Sequence, residues 1–495
     1  KSPRARDALL SLRDHLDLDM AEHLSGYDRA RVGVPKVCDC GRESCRYQCF
    51  MEVCASNWYQ VQICNHNLLL ADAIHRNLGR RPLLPEWSTL ILDEAHKLPE
   101  AARQMFGITL TAAEIHELIR VLRRERYLLA SENLEEAAGP VLRELARPWD
   151  EDGTFSHFAP FLNRPNHTLE LIQKQIGTIL PHRTQRQLDQ LRDKTALFLQ
   201  EQRDMIFYTA EDSHGGTMLC ATAPNLTDQL RQTLWRQQKP MILTSGTLAV
   251  GEDFRRFKEA TGLLTDSRVR ESVSPSPFAY SRNCLMYVSR LPAHQGAGQY
   301  YDSLTAEIAA LLDAAHGHAL VLFTSYAAMS AVKERLREQD LAYPLFTLGR
   351  NAVHTTKQFK NAPGGVLLAT GAAWEGFDFP GDCVSLLVIP RLPFPIPDAL
   401  KEKEREQYPT LHSFLRGIVV PEMQIKLKQG FGRAIRLETD TCVVAILDER
   451  AARDQRYWKD VLAALPEMPV TQDIHRVEAF IRSVKPDSYF QEGAA

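Results

Sequence analysis

Gln429-Gly430-Phe431-Gly432-Arg433-Ala434-Ile435-Arg436 is the stretch on which the reading of this chain turns. On a helix, residues three apart share a face, so Arg433 and Arg436 would point the same way. Their planar guanidinium groups suit the negative charge that gathers on a transferring phosphate. By itself the string also reads as a surface basic helix with a bend that glycine permits. Its company upstream decides between the two.

Toward the N-terminus, three more strings each follow a short aliphatic run. Thr370-Gly371-Ala372-Ala373-Trp374-Glu375-Gly376-Phe377-Asp378 follows Gly365–Ala369, and its glycines allow the backbone to approach a phosphate closely. Thr244-Ser245-Gly246-Thr247-Leu248 follows Pro240–Leu243 and offers small hydroxyl side chains that can link a nucleotide pocket to a nucleic-acid groove. Asp93-Glu94-Ala95-His96 follows Ser88–Leu92. There the first carboxylate can hold the Mg²⁺ of a nucleotide and the second can orient the attacking water. Acidic turns after strands are common, so the weight lies in the order of all four strings. With Ala319–Phe323, Val384–Ile389 and Cys442–Leu447, these runs predict buried parallel strands that deliver functional residues at their carboxyl ends. Helical stretches such as Ala328–Glu338 lie between them, so the fold class is α/β with parallel sheets.

The chain's 495 residues exceed what one hydrophobic core supports, which predicts two large domains with smaller inserts. A formal net charge of −3 sets up no global basic field, so any grip on nucleic acid must come from local clusters. Arg120, Arg123, Arg124 and Arg126 form one such cluster, which reads equally as a solvated helix face. No apolar signal segment opens the chain and no window approaches the roughly 20 apolar residues that would span a bilayer, so a cytoplasmic protein without a membrane partner is expected. Two regions break the α/β rhythm. Residues 32–62 show little periodicity. Residues 110–205 are helical in pattern, as in Ala112–Leu129 and Thr184–Gln202, with proline-containing loops expected around Arg147–Pro165. A boundary between the two large domains is expected near Ser272–Arg282, where Ser-Val-Ser-Pro-Ser-Pro has no periodicity.

Five of the ten cysteines, Cys38, Cys40, Cys45, Cys49 and Cys54, crowd into the first irregular region. In a cytosolic enzyme such a cluster reads as a metal or iron–sulfur site before it reads as a disulfide framework.

In their order the four strings spell motifs II, III, V and VI of a superfamily 2 helicase, and the chain resembles the DinG/XPD family over nearly its whole length. That family has a helical arch inserted between motifs II and III. A cysteine-rich domain precedes motif II and ends shortly before an Asn-His-X-Leu string, matched here by Asn65-His66-Asn67-Leu68. The resemblance implies two RecA-like lobes and ATP-driven 5′→3′ unwinding of DNA, with single-stranded and forked DNA as partners. Lobe 1 would begin as a remnant over 1–31, carry the cysteine-rich domain at 32–62, continue with the acidic motif over 63–109 and hold the arch at 110–205. It would close with motif III over 206–275, and lobe 2 would occupy 276–495.

By the same resemblance Asp93 and Glu94 would serve Mg²⁺ and the attacking water, with His96 counted among the catalytic residues. Gln429, Arg433 and Arg436 would act on the γ-phosphate. Ser245, Gly246, Thr247, Glu375, Gly376, Asp378 and Gly432 would couple nucleotide to DNA. Cys40, Cys45 and Cys49 would be three ligands of a [4Fe–4S] cluster, the fourth being Cys38, Cys54 or a residue upstream of the chain. A Cys₄ zinc site and a metal-free domain are the alternatives.

The departure from the family is at the front, because Gly-x-x-x-x-Gly-Lys-[Ser/Thr] is absent from the sequence. Lys1-Ser2 could be the tail of such a loop, but it would then sit directly before the cysteine domain. The expectation is an N-terminal truncation, a partial gene or one half of a split protein whose companion segment carries the loop, with ATP binding weakened in its absence. An ATPase-inactive DNA-binding remnant is the rival reading. A metal-dependent nuclease finds no clustered acidic motif beyond Asp93-Glu94 to support it.

Overall fold

A computed structural model of the chain describes residue 10 and residues 45–56, 58–149, 154–200, 205–212, 215–289, 297–339, 341–348, 352–374, 376–379 and 381–491. Cys38, Cys40 and Glu375 lie outside these residues. The backbone divides into two compact units, one of Lys1–Thr244, Ala260–Gly262 and Asp398–Glu404, the other of Ser245–Glu259, Leu263–Pro397 and Arg405–Ala495.

Among the described residues the first unit holds two small sheets. β1 (Leu90–Leu92), β2 (Ile108–Leu110), β3 (Ile206–Glu211), β4 (Thr217–Thr222) and β5 (Met241–Leu243) appear in that order. β1 and β5 pair in parallel with Ile91 opposite Ile242, so the two runs expected as parallel strands do pair as such. β2, β4 and β3 form an antiparallel sheet at the two ends of the helical insertion. Its Leu110, Leu219 and Ala221 share one core with the helices Ala112–Arg124, Leu128–Leu145, Ala159–Ile176 and His182–Gln200.

Two expectations for this insertion change. The apolar rhythm of Ala112–Leu129 runs on, yet the helix stops at Arg124 and a second starts at Leu128. Arg126 takes a left-handed conformation there (φ +67°), and Glu125 on the same turn accepts the Thr184 hydroxyl at 2.8 Å. A tertiary contact thus outweighs helical propensity. The loop expected around Arg147–Pro165 contains the start of Ala159–Ile176. Pro160 falls in the first turn, where no N–H partner is needed, and Pro165 lies further in, where burial offsets the missing hydrogen bond.

The second unit is built on one parallel sheet. Its strands are β6 (Cys284–Val288), β7 (Ala319–Leu322), β8 (Leu345–Thr347), β9 (Val366–Ala369), β10 (Leu386–Ile389), β11 (Cys442–Ile446) and β12 (Val470–Thr471). They are ordered β12-β6-β11-β10-β7-β9-β8. Alternate residues feed two cores, Leu320, Leu322, Leu367 and Ala369 one of them, Ala319, Val321, Val366 and Leu368 the other. Both faces are therefore covered by helices, which is why these strands read as unbroken apolar runs. The helices Tyr326–Glu338 and Val420–Phe431 pack there, each contributing buried residues such as Val332 and Leu427. No helix among the described residues is long and apolar enough to cross a membrane.

Candidate functional site

In the first unit the parallel pairing of β1 and β5 continues past the strands. Thr244 N–H donates to the Leu92 carbonyl (2.9 Å), and Ala95 N–H donates to the Thr244 carbonyl (3.0 Å). Those two bonds fix the backbone on either side of Asp93-Glu94, leaving both acidic residues exposed at the carboxyl end of β1. Glu94 is left-handed (φ +48°), a conformation that costs a non-glycine residue about 1–2 kcal/mol. Its N–H donates to Asp93 Oδ1 at 2.9 Å, which offsets part of that cost.

The Asn-His string supports the same turn. Asn65 Oδ1 accepts the Leu68 N–H (2.8 Å), capping the helix His66–Asn77. The cap sets His66 so that its Nε2 donates to the Asp93 carbonyl at 2.9 Å. A carbonyl only accepts, so that ring nitrogen carries the proton. His96 Nδ1 lies 3.2 Å from Glu94 Oε2, close enough to steer this carboxylate. The result is a rigid turn presenting two solvated carboxylates.

In the second unit the strings at the ends of β9 and of the helix Val420–Phe431 meet. Thr370 Oγ1 and Trp374 Nε1 both donate to the Phe323 carbonyl at the end of β7, at 3.1 and 2.9 Å. Trp374 is buried, and Gly430 lies against its ring so closely that a Cβ there would sit 2.8 Å from Cζ3. Only glycine permits that approach. Gly376 has φ +85°, which turns the loop.

Arg433 Nη1 then donates to the Phe377 carbonyl, and Arg436 Nε pairs with Asp378 Oδ1 at 2.8 Å. Asp440 Oδ2 accepts the N–H groups of Arg436 and Leu437, each at 2.8 Å. The expectation that the two arginines share a helix face needs correction, because the helix ends at Phe431, Arg433 lies in the turn beyond it and Arg436 in the irregular backbone after that. Asp440 draws the chain out of helical hydrogen bonding, and the arginines are brought together by the loop after β9 instead.

Residues 308–468 match the family described as Helicase C-terminal domain. The chain is 29% identical over 450 residues to "ATP-dependent DNA helicase YoaA" of Escherichia coli, a match spanning 85% of this chain and 69% of the relative. It is 28% identical over 461 residues to "ATP-dependent helicase DinG" of Mycobacterium tuberculosis, spanning 88% and 68%. In fold it is similar to a solved structure titled "XPD_Helicase", with a TM-score of 0.51 at 18% identity, covering 79% of this chain and 70% of that one. The chain is DinG/XPD-like. The α/β expectation with RecA-like parallel-sheet lobes stands with it.

For this DinG/XPD-like chain the structure brings Gln429, Gly432, Arg433, Arg436, Gly376 and Asp378 together in the second unit. Asp93, Glu94 and His96 belong to the first unit. Ser245, Gly246 and Thr247 begin the second unit, where Thr247 N–H donates to Ser245 Oγ at 3.2 Å. Two partners escaped the sequence reading. His66 was visible as part of a marker string without a role, and Asp440 had no signal at all.

Among the described residues no group of three or more His, Cys, Asp or Glu is placed to hold a metal ion. Cys45 stands at the N-cap of the helix Arg46–Cys54, and Cys49 N–H donates to its carbonyl at 3.0 Å. Residues four apart share a helix face, so these two fit as neighbouring thiolate ligands. Cys54 lies five further on, roughly 140° round the helix, and does not join them. The pair fits part of a cluster's ligand set, and the rest of the expected set falls on undescribed residues.

Proposed function

We propose that the chain is the greater part of an ATP-dependent DNA helicase that moves 5′→3′ along single-stranded DNA in the cytoplasm. The supporting observation is the locking of Arg433 and Arg436 onto the loop after β9, which pre-sets two cations for a phosphate whose charge grows in the transition state. Asp93 holds Mg²⁺ and Glu94 orients the attacking water, with His96 steering the Glu94 carboxylate. Gln429 joins the two arginines on the γ-phosphate. Ser245, Gly246, Thr247, Glu375, Gly376, Asp378 and Gly432 transmit nucleotide state to the strand, which is gripped by phosphate contacts and stacking rather than by reading bases. A companion segment supplies the phosphate-binding loop. Cys40, Cys45 and Cys49, with Cys38, Cys54 or an upstream residue as the fourth ligand, hold a [4Fe–4S] cluster that gives the cysteine region its shape; zinc in the same thiolates is the alternative.

The test is Glu94→Gln in the chain supplied with a Gly-x-x-x-x-Gly-Lys-[Ser/Thr] segment. Nucleotide binding is expected to persist while ATP turnover falls by about 10²–10⁴-fold, the range of a lost general base. Turnover within about twofold of the parent would remove Glu94 from the role.

A further inference from the structure

The loop after β5 does not stay with β5. Ser245–Glu259 belongs to the second unit, although Thr244 just before it belongs to the first. An ion pair ties this segment to the helix Val420–Phe431. Asp253 Oδ1 accepts the Arg255 N–H at 2.7 Å and so begins the short helix Arg255–Thr261. This start places Arg256 Nη2 2.9 Å from Glu422 Oε1, with the two side chains only 23% and 26% exposed. Glu422 lies in the first turn of Val420–Phe431, where the helix dipole favours an anion. The far end of that helix carries Gln429 and Gly430 and leads into Arg433.

We propose that Arg256 and Glu422, neither of which lies in any of the four strings, form a positioning strut between the Ser245–Thr247 loop and the helix that sets the phosphate-facing arginines. The proposal rests on the helicase reading above and deepens it. A half-buried ion pair is stiffer than a surface one, because water competes less for either charge. The helix is stiff as well, and Gly430 is seated on Trp374. A shift of the loop as a strand binds is therefore passed through Arg256 to Glu422 and along the helix. Neither residue touches nucleotide or DNA in this scheme.

The experiment is hydrogen exchange by mass spectrometry on the whole chain, with and without a thymidine oligonucleotide of about twenty nucleotides. Arg256→Ala and Glu422→Ala should each speed exchange of 245–254 about tenfold while leaving Cys442–Ile446 unchanged. The double variant should be no worse than either single, and the exchanged pair Arg256→Glu with Glu422→Arg should recover most of the protection. In the parent the oligonucleotide should slow both 245–254 and 420–426; in Arg256→Ala it should slow the first alone. Singles within about twofold of the parent, or a double whose effect is the product of the singles, would overturn the strut. If the oligonucleotide changes neither segment of the parent, the DNA reading fails, and comparison of the singles with the exchanged pair still decides the strut.

Discussion

Arg436 is where residue chemistry and geometry meet most closely. Its guanidinium is held by Asp378, so the cation is oriented before any phosphate arrives. Arg436→Ala should lower DNA-stimulated hydrolysis by about 10²–10³-fold, as loss of a transition-state donor does, with DNA affinity within about threefold. Asp378→Ala should cost about tenfold, because it orients the cation and does not meet the phosphate. A parallel loss of DNA binding in Arg436→Ala would make it a gripping residue instead. The residue types themselves were legible, since carboxylates after a strand and paired arginines have few other uses in that order. Their partners were not. Arg433 is held by the Phe377 carbonyl and Asp93 by the His66 ring through its own carbonyl, and a backbone acceptor leaves no mark in a sequence.

Among the elements, the strands expected from aliphatic runs all appear; in the second unit they are apolar throughout because both faces are covered, whereas β1 and β5 leave Ile91 and Ile242 exposed. β6 was missed since Cys284, Met286 and Tyr287 blur the run, and β12 has only two residues. At the end of β11, Asp448 shows what holds an element's tip. It is almost fully buried and accepts from Leu392 N–H (2.9 Å), Arg450 N–H (3.1 Å) and the Arg450 guanidinium (2.7 Å). Burial pushes its carboxyl up, but Arg450 and the two N–H groups outweigh this and hold it below the usual range. Asp448→Asn should destabilise the second unit by about 2 kcal/mol at neutral pH. A depressed carboxyl contributes fully above its unfolded value near 4, and the contribution is lost as pH falls through the folded value. The gap between parent and variant in urea unfolding should therefore close below about pH 4. A gap independent of pH would refute this.

The cysteine helix makes a second prediction at this scale. Cys45→Ser or Cys49→Ser should abolish iron, acid-labile sulfide and visible absorption in anaerobically purified protein, with melting of the second unit unchanged. Stoichiometric zinc in the parent would make the site structural, and a metal-free parent with this region well protected from exchange would end the coordination account. Cysteine spacing shows which thiols can share a helix face and not where the remaining ligands come from.

At the scale of the whole molecule, length predicted two bodies, and two are found. The expected domain boundary followed the Ser-Pro stretch near Ser272–Arg282, whereas the chain first passes from one compact unit to the other between Thr244 and Ser245 and returns to the first at Ala260–Gly262 and Asp398–Glu404. Loss of periodicity marks where regular elements stop. Packing decides which body a loop joins, and here Arg256 and Glu422, 166 positions apart, contribute to that decision. The acidic turn belongs to the first unit and the arginines to the second. The most direct test of that account is strand displacement by the chain supplied with a phosphate-binding segment, on duplexes bearing either a 5′ or a 3′ single-stranded tail. The account predicts unwinding of the 5′-tailed duplex, dependent on ATP and Mg²⁺ and lost in Glu94→Gln. Unwinding from the 3′ tail, or tight binding of both substrates with no ATP turnover, would contradict it.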